Sequence, residues 1–274
     1  MFNQLENISE EQIKKLSNLR DFLKDLKSVS VAYSGGVDSA LMATLAFEQL
    51  GDNSVAITGV SSALASNLLE EARIQAKWIG IKHLEIETFE IDDLSYSQNP
   101  KERCFACKRE LHKHTKLISD QLKLKNIIDG VNYDDLGDFR PGIKAAKEAG
   151  VISPLALLKF TKKDIRDISK SLGLPWWDKP AQPCLSSRFP YGYEITNHRL
   201  KMIEKAEEYI RKTGIKEVRV RCQGTSARIE IPSHQITQFI KSYDRLDLIN
   251  FFFKIGFKSA SLDLEGLVSG KLNR

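Results

Sequence analysis

Ser34-Gly35-Gly36-Val37-Asp38-Ser39 is the segment of this chain whose residue types most directly imply chemistry. Adjacent glycines let a backbone fold tightly enough for successive N–H groups to converge on an anion, which a following helix N-terminus also favours. The hydroxyls of Ser34 and Ser39 can donate to phosphate oxygens. Asp38 repels a phosphate, so its job is to hold Mg²⁺ or to orient the loop. The segment lacks the Gly-Lys-Ser/Thr ending of a Walker loop, which argues against γ-phosphoryl transfer. It also lacks G-x-G-x-x-G, which argues against a dinucleotide. The bland alternative is a glycine turn that merely joins a strand to a helix.

Cysteines form the second group. Cys104-Phe105-Ala106-Cys107 opens a helical pattern, and a C-x-x-C pair there suits metal because the macrodipole lowers thiolate pKa. Zinc, iron–sulfur and redox uses share this spacing, and zinc could recruit His112 or His114. Cys184 lies in Lys179-Pro180-Ala181-Gln182-Pro183-Cys184-Leu185-Ser186-Ser187-Arg188-Phe189-Pro190-Tyr191-Gly192. Cys222 falls on a strand face with Val218 and Val220 and reads as core. Arg219 and Arg221 take the opposite face of that strand, and Arg228 and Glu230 share one face of the next. A hairpin through Gln223-Gly224-Thr225-Ser226 would set these charges together. Forked guanidiniums suit phosphates and carboxylates, although the same pattern describes a solvated strand face.

The elements that must position these groups alternate. Apolar strand-like runs at Ser28–Tyr33, Ser54–Val60, His83–Phe89, Asn126–Val131 and Val151–Ser153 are separated by helical patterns. The helices are expected at Ser39–Leu50, Ala63–Gly80, Phe105–Leu124, Arg140–Gly150 and Lys162–Leu172. This order predicts an α/β fold, a parallel sheet with helices on both faces and ligands at the carboxyl ends of its strands. Gly130 stands at one such end. Pro175, Pro180, Pro183 and Pro190 then break the pattern. A helix at Asn197–Thr213 and strands at Glu217–Cys222 and Ala227–Ile231 follow, the pattern of a smaller C-terminal α+β domain. The expected organisation is a nucleotide domain over 1–178, an active-site linker over 179–192 and a substrate or oligomerisation domain over 193–274.

Hydrophobic residues make up 42% of the 274 and charged residues 28%, a balance that permits a sizeable core. The net charge of +5 is spread over many helices and points only weakly to an anionic partner. The first residues, Met1 to Glu6, have neither a basic leader nor an apolar run, and Ala40 to Phe47 is too short to span a bilayer. We therefore expect a cytoplasmic protein with no membrane partner, in which four cysteines are not structural disulfides.

In its strand–loop–helix setting, the Ser34–Ser39 loop resembles the PP-loop ATP pyrophosphatases, which have the adenine nucleotide alpha hydrolase-like fold. These enzymes cleave ATP between its α and β phosphates and attach AMP to the atom to be activated. Together with the Cys184 run, Asp138-Phe139-Arg140-Pro141-Gly142, Val218-Arg219-Val220-Arg221 and Ala227-Arg228-Ile229-Glu230, the chain resembles the LarE-type sulfur transferases over nearly its whole length. The resemblance implies ATP and Mg²⁺ as cofactors, with ATP held by Ser34, Gly35, Gly36, Asp38, Ser39 and Gly130. It implies a small-molecule nucleotide substrate, pyridinium-3,5-biscarboxylic acid mononucleotide. Adenylation of its carboxylate and displacement of AMP by sulfur give a thiocarboxylate for the nickel-pincer cofactor. Cys184, Ser187 and Arg188 are the implied catalytic residues, and Ser186, Arg188, Glu207, Arg219, Arg221 and Glu230 the substrate-binding ones.

One form of that family sacrifices the sulfur of a single cysteine. Cys104, Cys107 and Cys184 together instead resemble the cluster-bearing members of the superfamily, in which three thiolates hold a [4Fe–4S] centre and leave one iron open for hydrosulfide. Sulfide or another sulfur donor is then a partner, and relatives form homo-oligomers. A tRNA-thiolating enzyme would share the loop and the cysteines but should show a basic stripe or an RNA-binding module, and neither is evident. Ammonia-dependent amidation would leave the cysteines without a job. A regulatory module would bind ATP and release no pyrophosphate.

Overall fold

The computed structural model describes residues 8–137, 140–242, 244–268 and 270–271. The first six residues, read above for a leader, and Asp138 and Phe139 lie outside them. In chain order the elements begin α1 (Glu10–Leu26), β1 (Val29–Ala32), α2 (Val37–Leu50), β2 (Ser54–Val60), α3 (Ser66–Ile79) and β3 (Lys82–Glu87). Next come α4 (Leu94–Ser97), α5 (Arg103–Gln121), β4 (Asn126–Ile128), α6 (Pro141–Glu148), α7 (Pro154–Leu157) and α8 (Lys162–Ser171). The last are α9 (Asn197–Arg211), β5 (Arg219–Gln223), β6 (Ser226–Glu230), α10 (Ile236–Ser242), α11 (Arg245–Lys254) and β7 (Ser259–Leu262). Two compact units result: Met1–Glu90 with Glu102–Gln182, and Ile91–Lys101 with Pro183–Arg274.

The first unit is built on a parallel sheet of order β3-β2-β1-β4. Val29 of β1 pairs with Ser54 on one side and Asn126 on the other, and every residue of β1 is buried. That continuous burial follows from helices covering both faces. Leu16, Leu19 and Leu23 of α1, Leu41 and Leu45 of α2, and Ile165 and Ile168 of α8 share one core cluster with Val29 and Val31. Leu111 and Ile118 of α5 pack with Val55, Ile57 and Ile86 in another.

Two local expectations change. Val151–Ser153 is not a strand; only Ile152 bridges Ile128, and β4 stops at Ile128 rather than Val131. The other change is α1, to which the strand–helix alternation assigned nothing. Its start is a capping box: Ser9 Oγ accepts from Gln12 N at 3.2 Å and Gln12 Oε1 accepts from Ser9 N at 3.0 Å.

The second unit pairs β5 with β6 antiparallel and β6 with β7 parallel. Gly224 (φ 63°) and Thr225 make the turn between β5 and β6, so the expected hairpin forms with Arg219 opposite Glu230 and Arg221 opposite Arg228. The 91–101 segment is tied into this unit by Gly192 N to Asn99 O at 2.9 Å and Ile195 N to Ser97 O at 2.8 Å. Among the described residues no helix is long and apolar enough to cross a membrane.

Candidate active site

The Ser34–Ser39 loop leaves the carboxyl end of β1, whose neighbours β2 and β4 are reached in opposite directions along the sheet. Strand-order reversal of this kind leaves a crevice between two strand ends, and parallel sheets bind ligands there. Gly35 has φ 67°, a conformation that glycine adopts without strain. A side chain on it would also press Ala72 of α3 at 3.1 Å. Ser39 Oγ accepts from Ser34 N at 3.2 Å, lies 3.1 Å from Ser34 Oγ and donates to Gly36 O at 3.1 Å. These bonds preform the loop at the head of α2. Gly130, after β4, lies back to back with that head: a methyl group there would meet Ser39 N at 2.7 Å and the Asp38 carbonyl carbon at 3.0 Å.

Carboxylates gather beside the loop. Asp38 accepts from Asn132 Nδ2 at 3.2 Å, and Asn132 Oδ1 accepts from Asp135 N at 3.1 Å. Asp135 is in turn paired with Arg140 at 2.9 Å and Lys162 at 3.2 Å. Burial, reinforced by the charge of Asp135, pushes the Asp38 pKa up; burial does the same to Asp129. A divalent cation arriving with phosphate would relieve the charge on Asp38, so the donor chemistry suits Mg²⁺, which draws its other ligands from phosphate and water. The sequence reading missed Asn132 and Asp135. Their Asn-x-x-Asp spacing after Gly130 carried the signal of a side-chain-closed turn.

In the second unit, Cys184 heads the turn Leu185–Arg188. Its carbonyl accepts from Ser187 N at 3.0 Å, Ser187 Oγ at 2.8 Å and Arg188 Nη1 at 3.2 Å. Arg188 also grips buried Glu207 with two bonds, Nε at 2.8 Å and Nη2 at 3.2 Å, and Glu207 takes Arg211 at 2.7 Å and Val220 N at 3.1 Å. Ser186 is buried with its hydroxyl 2.5 Å from that of Tyr96, a partner ninety residues away that no local pattern shows.

The strand arginines differ from the solvated-face reading. Arg221 is only 5% exposed, like its strand neighbour Cys222 at 1%, because β5 is covered on both faces. Arg221 donates to Glu230 Oε2 at 2.9 Å and to Ser187 O at 2.7 Å, and Arg228 reaches Glu230 at 3.4 Å. Arg219 is half-buried, and neither a hydrogen bond nor an ion pair holds it among the described residues. Burial first, then Arg188 and Arg221, lowers its pKa. Cys222 is a core thiol whose pKa burial raises, as its strand position suggested.

Cys104 is exposed and Cys107 half-buried, one turn apart at the start of α5. Cys107 Sγ lies 4.0 Å from Glu90 Oε1, an oxygen that also accepts from Ser61 at 2.6 Å. At that distance the Cys107 thiol donates to the carboxylate. His112 does not join them: it is buried, neither ring nitrogen has a hydrogen-bond partner among the described residues, and burial lowers its pKa to about 4. His114 bonds Glu110 at 2.8 Å. Among the described residues no group of three or more His, Cys, Asp and Glu side chains is arranged to hold a metal ion.

No protein-family model matches the chain. It is 52% identical over 260 residues to an uncharacterized protein of Synechocystis sp., covering 95% of this chain and 97% of that one. It is 34% identical over 260 residues to the pyridinium-3,5-bisthiocarboxylic acid mononucleotide synthase of Lactiplantibacillus plantarum, covering 94% of each. A subunit of the glutamine-hydrolyzing GMP synthase of Archaeoglobus fulgidus is 22% identical over 225 residues, 75% of this chain and 70% of that one. The glycine loop at the sheet's switch point and this last likeness both support the PP-loop ATP pyrophosphatase class. Within that class, near-complete coverage at 34% identity is decisive. The chain belongs to the LarE-type family of pyridinium-3,5-bisthiocarboxylic acid mononucleotide synthases.

Proposed function

We propose that this protein is an ATP-dependent sulfur transferase that adenylates a carboxylate of pyridinium-3,5-biscarboxylic acid mononucleotide and replaces the AMP with sulfur. The product is a thiocarboxylate for nickel-pincer cofactor synthesis, released with AMP and pyrophosphate. A carboxylate is a poor electrophile, and the mixed anhydride with AMP gives it a good leaving group. Residues 34–39, with Gly130, grip the departing pyrophosphate, and Asp38 takes the Mg²⁺ that offsets its charge. Arg188 and Ser187 fix the backbone that carries Cys184. A [4Fe–4S] cluster held by Cys104, Cys107 and Cys184 would supply the sulfur nucleophile, chemistry that suits thiolate ligands which leave one iron open. In this reading residues 1–178 bind ATP, 179–192 carry the reactive turn, and 193–274 bind substrate and form a cytoplasmic homo-oligomer.

The observation that supports the substrate is Arg219. Its neighbours Arg188, Arg221 and Arg228 are matched to Glu207 and Glu230, whereas among the described residues its own half-buried guanidinium has no carboxylate within ion-pair distance. Such a group is suited to a phosphate or carboxylate brought by the substrate.

The test incubates anaerobically purified protein with ATP, Mg²⁺, sulfide and the bis-carboxylated mononucleotide, followed by mass spectrometry. AMP, pyrophosphate and a product with sulfur in place of oxygen are expected; ADP and orthophosphate refute the reading. The protein should be brown and lose its colour in Cys104→Ala. Colourless active protein that loses one sulfur from Cys184 per turnover replaces the cluster by sacrifice of that cysteine. Arg219→Met should raise the KM for the mononucleotide at least tenfold in a folded protein; an unchanged KM removes Arg219 from the site.

A further inference from the structure

Lys179 stands outside the loop and outside the roles assigned above. Its ammonium lies 2.5 Å from Glu71 Oε2 of α3 and donates to the Gly35 carbonyl at 3.1 Å. The side chain is 12% exposed. Its backbone is anchored as well, with Lys179 N donating to Trp176 O at 3.0 Å and Arg166 donating to Lys179 O at 3.1 Å. The same Gly35 carbonyl takes a second bond, from Gln75 Nε2 at 3.2 Å, and Gln75 is fixed in turn by the Tyr33 hydroxyl at 3.0 Å.

A planar trans peptide points its C=O and its N–H in opposite directions. Two donors holding the Gly35 carbonyl therefore aim the Gly36 N–H the other way, away from α3 and Lys179. There its hydrogen-bond partner among the described residues is Ser34 Oγ, at 3.4 Å, a contact long enough for a phosphate oxygen to displace. Glycine at 35 and 36 leaves this peptide free to flip unless something restrains it.

We infer that Lys179 is a positioning residue for the pyrophosphate site: bridging Glu71 and the Gly35 carbonyl, it locks the Gly35–Gly36 peptide with its N–H presented to the β and γ phosphates. The inference rests on reading the loop as that site. Lys179 acts through the peptide, so its effect falls on the diphosphate and not on the adenosine end of the ligand.

Calorimetric titration of the full chain with pyrophosphate and, separately, with AMP tests this. Lys179→Met should weaken pyrophosphate binding at least tenfold and leave AMP affinity within twofold. Lys179→Gln should show the same selectivity and serves if the Met variant folds poorly. Lys179→Arg, which keeps both donors, should recover pyrophosphate affinity to within a few-fold of the parent. Unchanged pyrophosphate affinity in both neutral variants, or equal losses for pyrophosphate and AMP, overturns the inference while the function stands. An unaltered protein that binds neither ATP nor pyrophosphate overturns both.

Discussion

Replacing Gly130 by alanine puts the geometry of the nucleotide loop to its hardest trial. The added methyl would lie 2.7 Å from Ser39 N, 3.0 Å from the Asp38 carbonyl carbon and 3.0 Å from Ser39 Cα. All three are backbone atoms of the first turn of α2, so no side-chain rotation relieves the clash. The head of the helix must move away from β4. Overpacking of this kind costs about 1–3 kcal/mol. For a unit of this size that lowers Tm by about 2–12 °C, at roughly 2–4 °C per kcal/mol. The displaced turn carries Ser39, whose hydroxyl closes the loop on Ser34 and Gly36, so ATP affinity should fall about tenfold or more, equivalent to ~1.4 kcal/mol. Gly137→Ala is the matched control, because among the described residues a methyl group there meets nothing within 4 Å. Urea unfolding and ATP titration of both variants decide the matter. Gly130→Ala behaving like Gly137→Ala in both measurements would refute the close approach on which the site is built.

Two further outcomes follow from buried charge. Arg188 and Glu207 have side chains 6% and 0% exposed, so Arg188→Met, which strands one partner of a buried pair, should cost about 3–5 kcal/mol in urea unfolding. A double-mutant cycle with Glu207→Gln should return a coupling of about 1–3 kcal/mol, and a coupling near zero would sink the pairing. The folded His112 has its pKa lowered from 6.5 to about 4, so between those values the unfolded chain binds more protons than the folded one. Its contribution to stability is full above pH 6.5 and is lost as pH falls towards 4, about 3 kcal/mol in all at ~1.4 kcal/mol per pKa unit. His112→Leu should flatten the stability profile over that window relative to the parent protein, and parallel profiles would show that the ring is solvated.

The parts legible in the sequence are those coded by neighbours along the chain. Paired glycines between an apolar strand run and a helical run specify an anion loop, and the alternation of such runs specifies a parallel sheet. The expected hairpin forms at Gly224 and Thr225 because a turn is also a local object. The helix α1 was equally local, with Ser9 and Gln12 as its cap and leucines at 16, 19 and 23 on one face, yet the strand–helix alternation passed over it.

Tertiary structure decided everything that depends on which surfaces meet. Period-two alternation separates Arg221 from Cys222 but does not say that β5 is covered on both faces, so a strand face that reads as solvated holds a buried arginine. No spacing rule pairs Arg188 with Glu207, sets Gly130 against Ser39, or carries Lys179 back 144 residues to the Gly35 carbonyl. The types of these residues were written in the chain from the start. Their energies and directions come from burial, and burial exists only once distant segments have excluded water from between them.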